Sequence, residues 1–204
     1  MINKAYRHLL ARIYDPFLAS LEKVLSSYRR ELLSQTYGNV LEVGAGTGVN
    51  IPYYPPHAEV FAVEPSLPML LRAEKKNNRN NYRLFNIAVE DVPGHPGLPD
   101  QYDFIVSMLV MCSVKDEKKV AGLYKKLLKP GGKLIVLEHI HAGNHTVYGK
   151  FQTLVNPVWR PLADGCNLTR RQDKVLKEAG FVPEKETYFR TGTDWYMAVM
   201  KPDF

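Results

Sequence analysis

Leu41-Glu42-Val43-Gly44-Ala45-Gly46-Thr47-Gly48 is the stretch on which the reading of this chain turns. A short apolar run, Asn39–Val43, leads straight into glycines at alternate positions. Glycine turns the backbone tightly and leaves no side chain between it and a ligand. The next acidic residue at the end of an apolar run is Glu64, twenty residues after Gly44. A carboxylate there accepts both hydroxyls of a ribose. A strand, a glycine loop and a carboxylate at the tip of the second strand together predict a nucleoside-containing cofactor. The spacing is not the Gly-x-Gly-x-x-Gly that cradles a dinucleotide pyrophosphate. No lysine and hydroxyl follow the glycines, which excludes a P-loop.

Outward from the loop, apolar runs alternate with helical segments. The runs are Asn39–Val43, Glu59–Val63, Tyr82–Phe85, Tyr102–Ser107 and Lys133–Glu138. Several are almost continuous in Val, Ile, Leu and Phe, the pattern of strands buried on both faces. Helices are predicted over Leu67–Lys76 and Asp116–Leu128, the second stopped by Lys129-Pro130-Gly131-Gly132 and a turn. A further helix is predicted from Arg170 to Ala179, with Thr169 as N-cap, Gln172 completing a capping box and Gly180 as its end. The tail reads as two strands, Phe181–Phe189 and Asp194–Met200, joined at Thr191-Gly192. Before the first strand, apolar residues from Tyr6 to Leu32 recur at helical spacing. Asp15-Pro16 interrupts them, predicting two helices with a bend. The fold class is therefore α/β, a doubly wound sheet with N-terminal helices. Residues 1–34 are expected to form those helices as a lid, and 35–204 the main domain.

Composition narrows the function. With 45% hydrophobic residues in 204, one domain can bury a full core. The longest uncharged apolar run, Phe104 to Val114, is far below the ~18 residues a membrane span needs. Lys4, Arg7 and His8 interrupt the start, so no signal peptide is expected. Two cysteines, Cys112 and Cys166, are too few for a disulfide framework, and no Cys/His spacing reads as a zinc site. A reducing, cytoplasmic setting without metal is expected. The net charge of +6 reads chiefly as a lysine-rich surface, with Lys115, Lys118, Lys119, Lys125, Lys126 and Lys129 on the solvated face of one helix. Basic residues do not interleave with aromatics, so no nucleic-acid partner is expected.

Leu41 to Gly48, the Glu64-Pro65-Ser66 step and Leu128-Lys129-Pro130-Gly131-Gly132-Lys133-Leu134 resemble the successive motifs of class I methyltransferases. The resemblance implies a Rossmann-like seven-stranded sheet, mostly parallel with the last strand antiparallel, and S-adenosylmethionine as cofactor. A narrower resemblance rests on Ser107–Val114, Leu137-Glu138-His139, Asn156-Pro157-Val158-Trp159 and Asp164-Gly165-Cys166-Asn167-Leu168-Thr169-Arg170. These look like the methyltransferase-like thiol S-methyltransferases and their bacterial ubiquinone/menaquinone-type or phospholipid methyltransferase relatives. The resemblance implies a small, lipophilic acceptor: a thiol first, then a phospholipid amine or a quinone carbon. A peripheral membrane contact through the basic N-terminal helix is the alternative placement. Rivals are a cofactor-binding module without catalysis and an RNA methyltransferase. The latter usually has an Asn/Asp-Pro-Pro-aromatic motif after the fourth strand, where this chain has Ser107-Met108-Leu109-Val110.

The resemblance places the cofactor on Gly44, Ala45, Gly46 and Glu64, with Tyr14, Glu42, Asn50, Pro65, Met69 and Met108 around it. Many members carry an aspartate after the third strand for the adenine. Ala88 stands there, so adenine is expected against Ala88, Val89 or Glu90. His139, at the carboxyl end of the fifth strand, is the candidate general base, or else a structural histidine. His141, Trp159, Cys112 and Cys166 are candidates to line the acceptor site. For the two cysteines, buried and inert is the competing reading.

Overall fold

The computed structural model describes residues 4–203, with side chains from residue 19 onward. Seven strands form one sheet in the order β3-β2-β1-β4-β5-β7-β6. The chain divides into two compact units, 1–105 and 106–204.

The first unit opens with α1 (Lys4–Leu33), followed by β1 (Gly38–Val43), β2 (Ala58–Val63), α2 (Leu67–Lys76) and β3 (Tyr82–Phe85). β1 pairs in parallel with β2, and β2 with β3. Val40, Leu41, Val60, Ala62 and Val63 are buried, as strands covered on both faces must be. Each of the Val and Leu side chains contributes about 1.5–3 kcal/mol by leaving water. The crossover from β1 to β2 is a run of turns and a 3-10 helix, Ile51–Tyr53, where Pro52 stands in the first turn. α1 is one unbroken helix, which corrects the expected break at Asp15-Pro16. A proline forfeits a single N–H bond, and a 30-residue helix propagates through that loss. On its described part, Leu25, Arg29, Leu32 and Leu33 form the buried stripe.

The second unit holds the end of β4 (Tyr102–Met108), then α3 (Glu117–Leu127), β5 (Leu128–Ile140), α4 (Val147–Leu162), α5 (Gln172–Glu178), β6 (Phe181–Thr191) and β7 (Thr193–Pro202). β7 runs antiparallel to both β5 and β6, so the last strand lies between its neighbours. α3 begins at Asp116, whose carboxylate accepts from Lys119 N at 3.0 Å. Its inner face is Val120, Ala121, Tyr124 and Leu127. The expected turn after α3 is absent: β5 starts at once, and Gly131 at φ +80° takes up the change of direction within the strand.

Two further differences concern helices. α4 was not expected from the sequence, because Pro157 and Pro161 fall inside it. α5 starts at Gln172, two residues later than predicted, and Thr169 does not cap it. The Thr169 hydroxyl instead donates to Asn167 Oδ1 at 2.8 Å. Arg170 is drawn away to backbone carbonyls, which keeps this segment out of the helix. No helix among the described residues is long and apolar enough to cross a membrane.

Candidate functional site

In the first unit, the glycine loop is strapped to the end of β2. Gly44 N and Ala45 N both donate to Val63 O, at 2.8 and 3.1 Å. Gly46 N donates to Glu64 Oε2 at 2.9 Å, and Ser66 N to Glu64 Oε1 at 2.7 Å. Glu64 therefore fixes the loop and the start of α2 with one lone pair on each oxygen. A carboxylate at this position is the kind of acceptor a ribose diol needs. Gly46 has φ +57°, and a Cβ there meets only Gly44 O, at 3.9 Å. The backbone is thus bare toward open space beside an acidic group, which fits a ribose-bearing cofactor. Gly48 serves packing instead: a Cβ there would come within 2.6 Å of Ile51 Cδ1.

Behind the loop runs a buried polar network that fixes Glu42 and Asn50. Arg29 Nη1 donates to Asn50 Oδ1 at 2.6 Å, and Asn50 Nδ2 donates to Glu42 Oε1 at 2.8 Å. Tyr82 OH donates to Glu42 Oε2 at 2.7 Å. Burial pushes the Glu42 carboxyl above its ordinary 4.5, against the pull of Tyr82, Asn50, Tyr54 and Arg29. Glu22 completes the set with an ion pair to Arg29 Nε at 2.8 Å. Both Glu42 oxygens are bonded within the protein, so its carboxyl braces α1, β1 and β3 behind the glycines. Arg29 and Tyr82 were missed by the sequence reading. The signal was an arginine set in the apolar stripe between Leu25 and Leu32.

The other candidates of this unit are spread around the same strand ends. Met69 is buried on α2 and Pro65 is exposed at its start. Ala88 precedes a 3-10 helix, Val89–Asp91, in which Val89 is buried and Glu90 exposed. The Tyr14 side chain lies outside the described residues.

In the second unit, the cysteines and His139 come together. Cys112, His139 and Cys166 each offer one ligand atom, all within 4.8 Å of one another. His139 Nε2 is 3.2 Å from Cys166 Sγ. The Cys112 proton has Leu109 O at 3.7 Å, Ser113 Oγ at 3.5 Å and the Cys166 sulfur to choose among. The Cys112 S–H bond, with His139 and the Trp159 indole N–H, pulls the Cys166 thiol down to about 4 despite burial. The Cys112 thiol is pushed up by that same bond and by burial. Burial works to lower the His139 imidazole, but its bond to Cys166 together with the charge interactions of Cys166 and Glu138 outweighs this, and the net shift is upward. His139 Nδ1 is buried without a hydrogen-bond partner. The two cysteines and the His139 imidazole thus form one hydrogen-bonded cluster, with Cys112 buried and Cys166 half-buried.

The Asp164–Arg170 run builds that cluster. Asp164 and Gly165 have φ +47° and +92°, which turns the chain out of α4. Asn167 N donates to Cys112 O at 2.9 Å. The Arg170 guanidinium donates to Met111 O and, at 2.8 Å, to Val114 O. Glu138 holds the same turn from below, its Oε1 accepting from Val110 N at 2.9 Å and Met111 N at 3.0 Å. Burial pushes Glu138 up to about 7 against those two N–H groups. Met108, buried, is the last residue of β4 before this turn.

His141 has another role. Its Nε2 faces Gly149 O at 3.0 Å and Thr153 Oγ1 at 3.2 Å, while Nδ1 accepts from Gly143 N at 3.3 Å. Both ring nitrogens are taken up in fastening α4 to the end of β5.

Residues 5–186 match the methyltransferase domain family. The chain is 31% identical over 200 residues to human thiol S-methyltransferase TMT1A, covering 95% of this chain and 82% of that protein. It is 28% identical over 142 residues to the phosphatidylethanolamine N-methyltransferase of Cereibacter sphaeroides, 68% of each. The solved structure of a SAM-dependent methyltransferase from Leishmania major superposes with a TM-score of 0.69 at 18% identity, over 97% of this chain and 81% of that one. A family match across nearly the whole chain, on a sheet of this order, leaves one assignment: the chain belongs to the methyltransferase domain family, as an S-adenosylmethionine-dependent enzyme.

Proposed function

We propose that the enzyme methylates a small, lipophilic thiol. The observation that carries this reading is the 31% identity to a thiol S-methyltransferase across 95% of the chain. The bound cofactor supplies an already activated sulfonium methyl. Gly44, Ala45, Gly46 and Glu64 are the residues that would hold it, through bare backbone and a diol-accepting carboxylate. The protein's remaining task is to orient a nucleophile and exclude water, which is where most of the acceleration of a displacement lies. A thiol with a pKa near ~8.5 is partly ionised at neutral pH and needs little base. The chemistry at the end of β5 agrees with that. His139 Nε2 lies against Cys166 Sγ, and Glu138 Oε1 accepts from Val110 N and Met111 N, so these atoms are engaged within the protein.

A second reading, a lipid-borne acceptor, is favoured by one feature. Val147, Phe151, Leu154, Val158 and Leu162 form an exposed apolar stripe along α4. Such a stripe suits an enzyme working at a lipid surface, with the basic N-terminal helix as a second contact. A cytoplasmic placement, free or peripheral, goes with either reading. The test is a screen with methyl-labelled cofactor across thiols, amines, phenols and phospholipid vesicles. A small alkyl or aryl thiol is expected to give the highest kcat/KM. Labelled lipid with unlabelled thiols would replace the first reading by the second.

A further inference from the structure

The Cys112–His139–Cys166 cluster has the composition and spacing of a metal site that is short of one ligand. In tetrahedral zinc sites the sulfur and nitrogen ligands stand about 2.3 and 2.0 Å from the ion. That geometry puts the ligand atoms about 3.5–3.8 Å from one another. Here the three donor atoms all lie within 4.8 Å, and one pair is at 3.2 Å. The protons shared among them occupy the place a cation would take. Small movements of two side chains about Cα–Cβ bonds therefore suffice to receive an ion.

The backbone beneath each donor is fixed. His139 is paired in the ladder with Trp195, which also packs edge-on against its ring. The turn carrying Cys112 is held by Glu138, Arg170 and Asn167 N. Cys166 N bonds to Ala163 O at 3.0 Å. Cys112 and His139 are buried, whereas Cys166 is half-buried and marks the side of entry. Among the described residues no fourth His, Cys, Asp or Glu joins the group. Four protein ligands make a closed structural site, while three with an open position make a catalytic one.

We propose that Cys112, His139 and Cys166 bind a zinc ion, and that its open fourth position receives the acceptor's sulfur as a thiolate. This reverses the expectation from sequence spacing, which saw no metal site because the three residues lie 27 positions apart along the chain and meet only in the fold. Zinc displaces the thiol protons of the site into solvent. An incoming R–SH then loses its proton to solvent as a zinc–sulfur bond forms, and no atom changes oxidation state. A coordinated thiol is held ionised, so the ion does for the acceptor the work of a base. The ion's binding stands on the cluster alone. The sulfur's coordination rests on the thiol reading above.

The test uses the full-length chain, purified under reducing conditions and stripped with chelator. Cobalt(II) titration should saturate at one equivalent, with a thiolate-to-cobalt charge-transfer band and the intense visible bands of tetrahedral coordination. One equivalent of zinc should bleach both. Zinc should also slow alkylation of both cysteines by a maleimide at least tenfold, a readout that needs no variant. Cys112→Ser and Cys166→Ser should each weaken the charge-transfer band. Phenylmethanethiol added to the cobalt form should strengthen that band, and phenylmethanol should leave it unchanged. No cobalt band together with unprotected cysteines overturns the metal site and leaves the thiol reading standing. A bound metal whose spectrum ignores a thiol that is nevertheless methylated overturns the coordination of the acceptor. Thiols that are neither methylated nor seen by bound cobalt overturn the thiol reading, with the metal site intact.

Discussion

Gly46 and Gly48 are two residues apart in one loop, and the structure gives them opposite jobs. Both have positive φ, +57° and +78°, so an alanine at either costs about 1–2 kcal/mol in backbone strain. At Gly46 that is nearly the whole cost to the fold, since the added carbon meets only Gly44 O at 3.9 Å. For a chain of this size it lowers Tm by about 2–8 °C. The added carbon stands in the space assigned to the cofactor, so Gly46→Ala should weaken S-adenosylhomocysteine binding at least tenfold, about 1.4 kcal/mol or more. At Gly48 the new carbon comes within 2.6 Å of Ile51 Cδ1 and 3.1 Å of Ala73 Cα. Overpacking adds about 1–3 kcal/mol there. Gly48→Ala should therefore lose more stability than Gly46→Ala, and less affinity in its folded fraction. Calorimetric titration and thermal melting on both variants provide the comparison. A folded Gly46→Ala protein with wild-type affinity would refute the placement of the cofactor against this loop.

Three further outcomes are expected. The Glu42 carboxyl is raised in the folded state, so wild type loses stability as pH climbs above 4.5, where the unfolded chain ionises and the folded chain resists. Glu42→Gln lacks this loss, and its urea midpoint relative to wild type should be higher at about pH 8 than at about pH 5; a difference independent of pH contradicts the buried-carboxyl account. Arg170→Met strands the carbonyls of Met111 and Val114, which should cost about 2 kcal/mol in urea unfolding and speed alkylation of Cys112, whereas an unchanged alkylation rate shows that the turn holds itself. Deleting residues 1–15 should preserve cooperative unfolding, because Leu25, Arg29, Leu32 and Leu33 anchor α1, while weakening cofactor retention; full retention by the truncated chain removes the lid from the account.

Much of the sheet was legible because strands buried on both faces must be continuous apolar runs. Tyr82–Phe85 and the helix Leu67–Lys76 match the sequence reading to the residue, since Asn and Pro punctuate them sharply. α4 was illegible for a different reason: Pro157 and Pro161 argue locally against a helix, while Val147, Phe151, Leu154, Val158 and Leu162 carry a helical period on its solvent side. The Asp15-Pro16 step misled because a long helix tolerates what ends a short one. At the site, the glycines and Glu64 could be read because their partners are fixed by one βαβ spacing. The thiol–imidazole cluster could not, because Cys112, His139 and Cys166 are joined only by tertiary contacts through Arg170, Asn167 and Glu138. Arg29 and Tyr82 were hidden likewise, each reading as part of an ordinary amphipathic or strand pattern until Glu42 is seen between them.

The central claim is that the methyl group ends on sulfur. The direct measurement is product identification by mass spectrometry, with trideuteromethyl-labelled S-adenosylmethionine, the purified enzyme, and an equimolar mixture of a small lipophilic thiol, an amine and a phenol of similar size, with and without phosphatidylethanolamine vesicles. The account predicts the trideuteromethyl group on the thiol's sulfur, with S-adenosylhomocysteine formed in equal amount, whether or not vesicles are present. The label on an amine nitrogen or a lipid head group, with the thiol recovered unmodified, would contradict it.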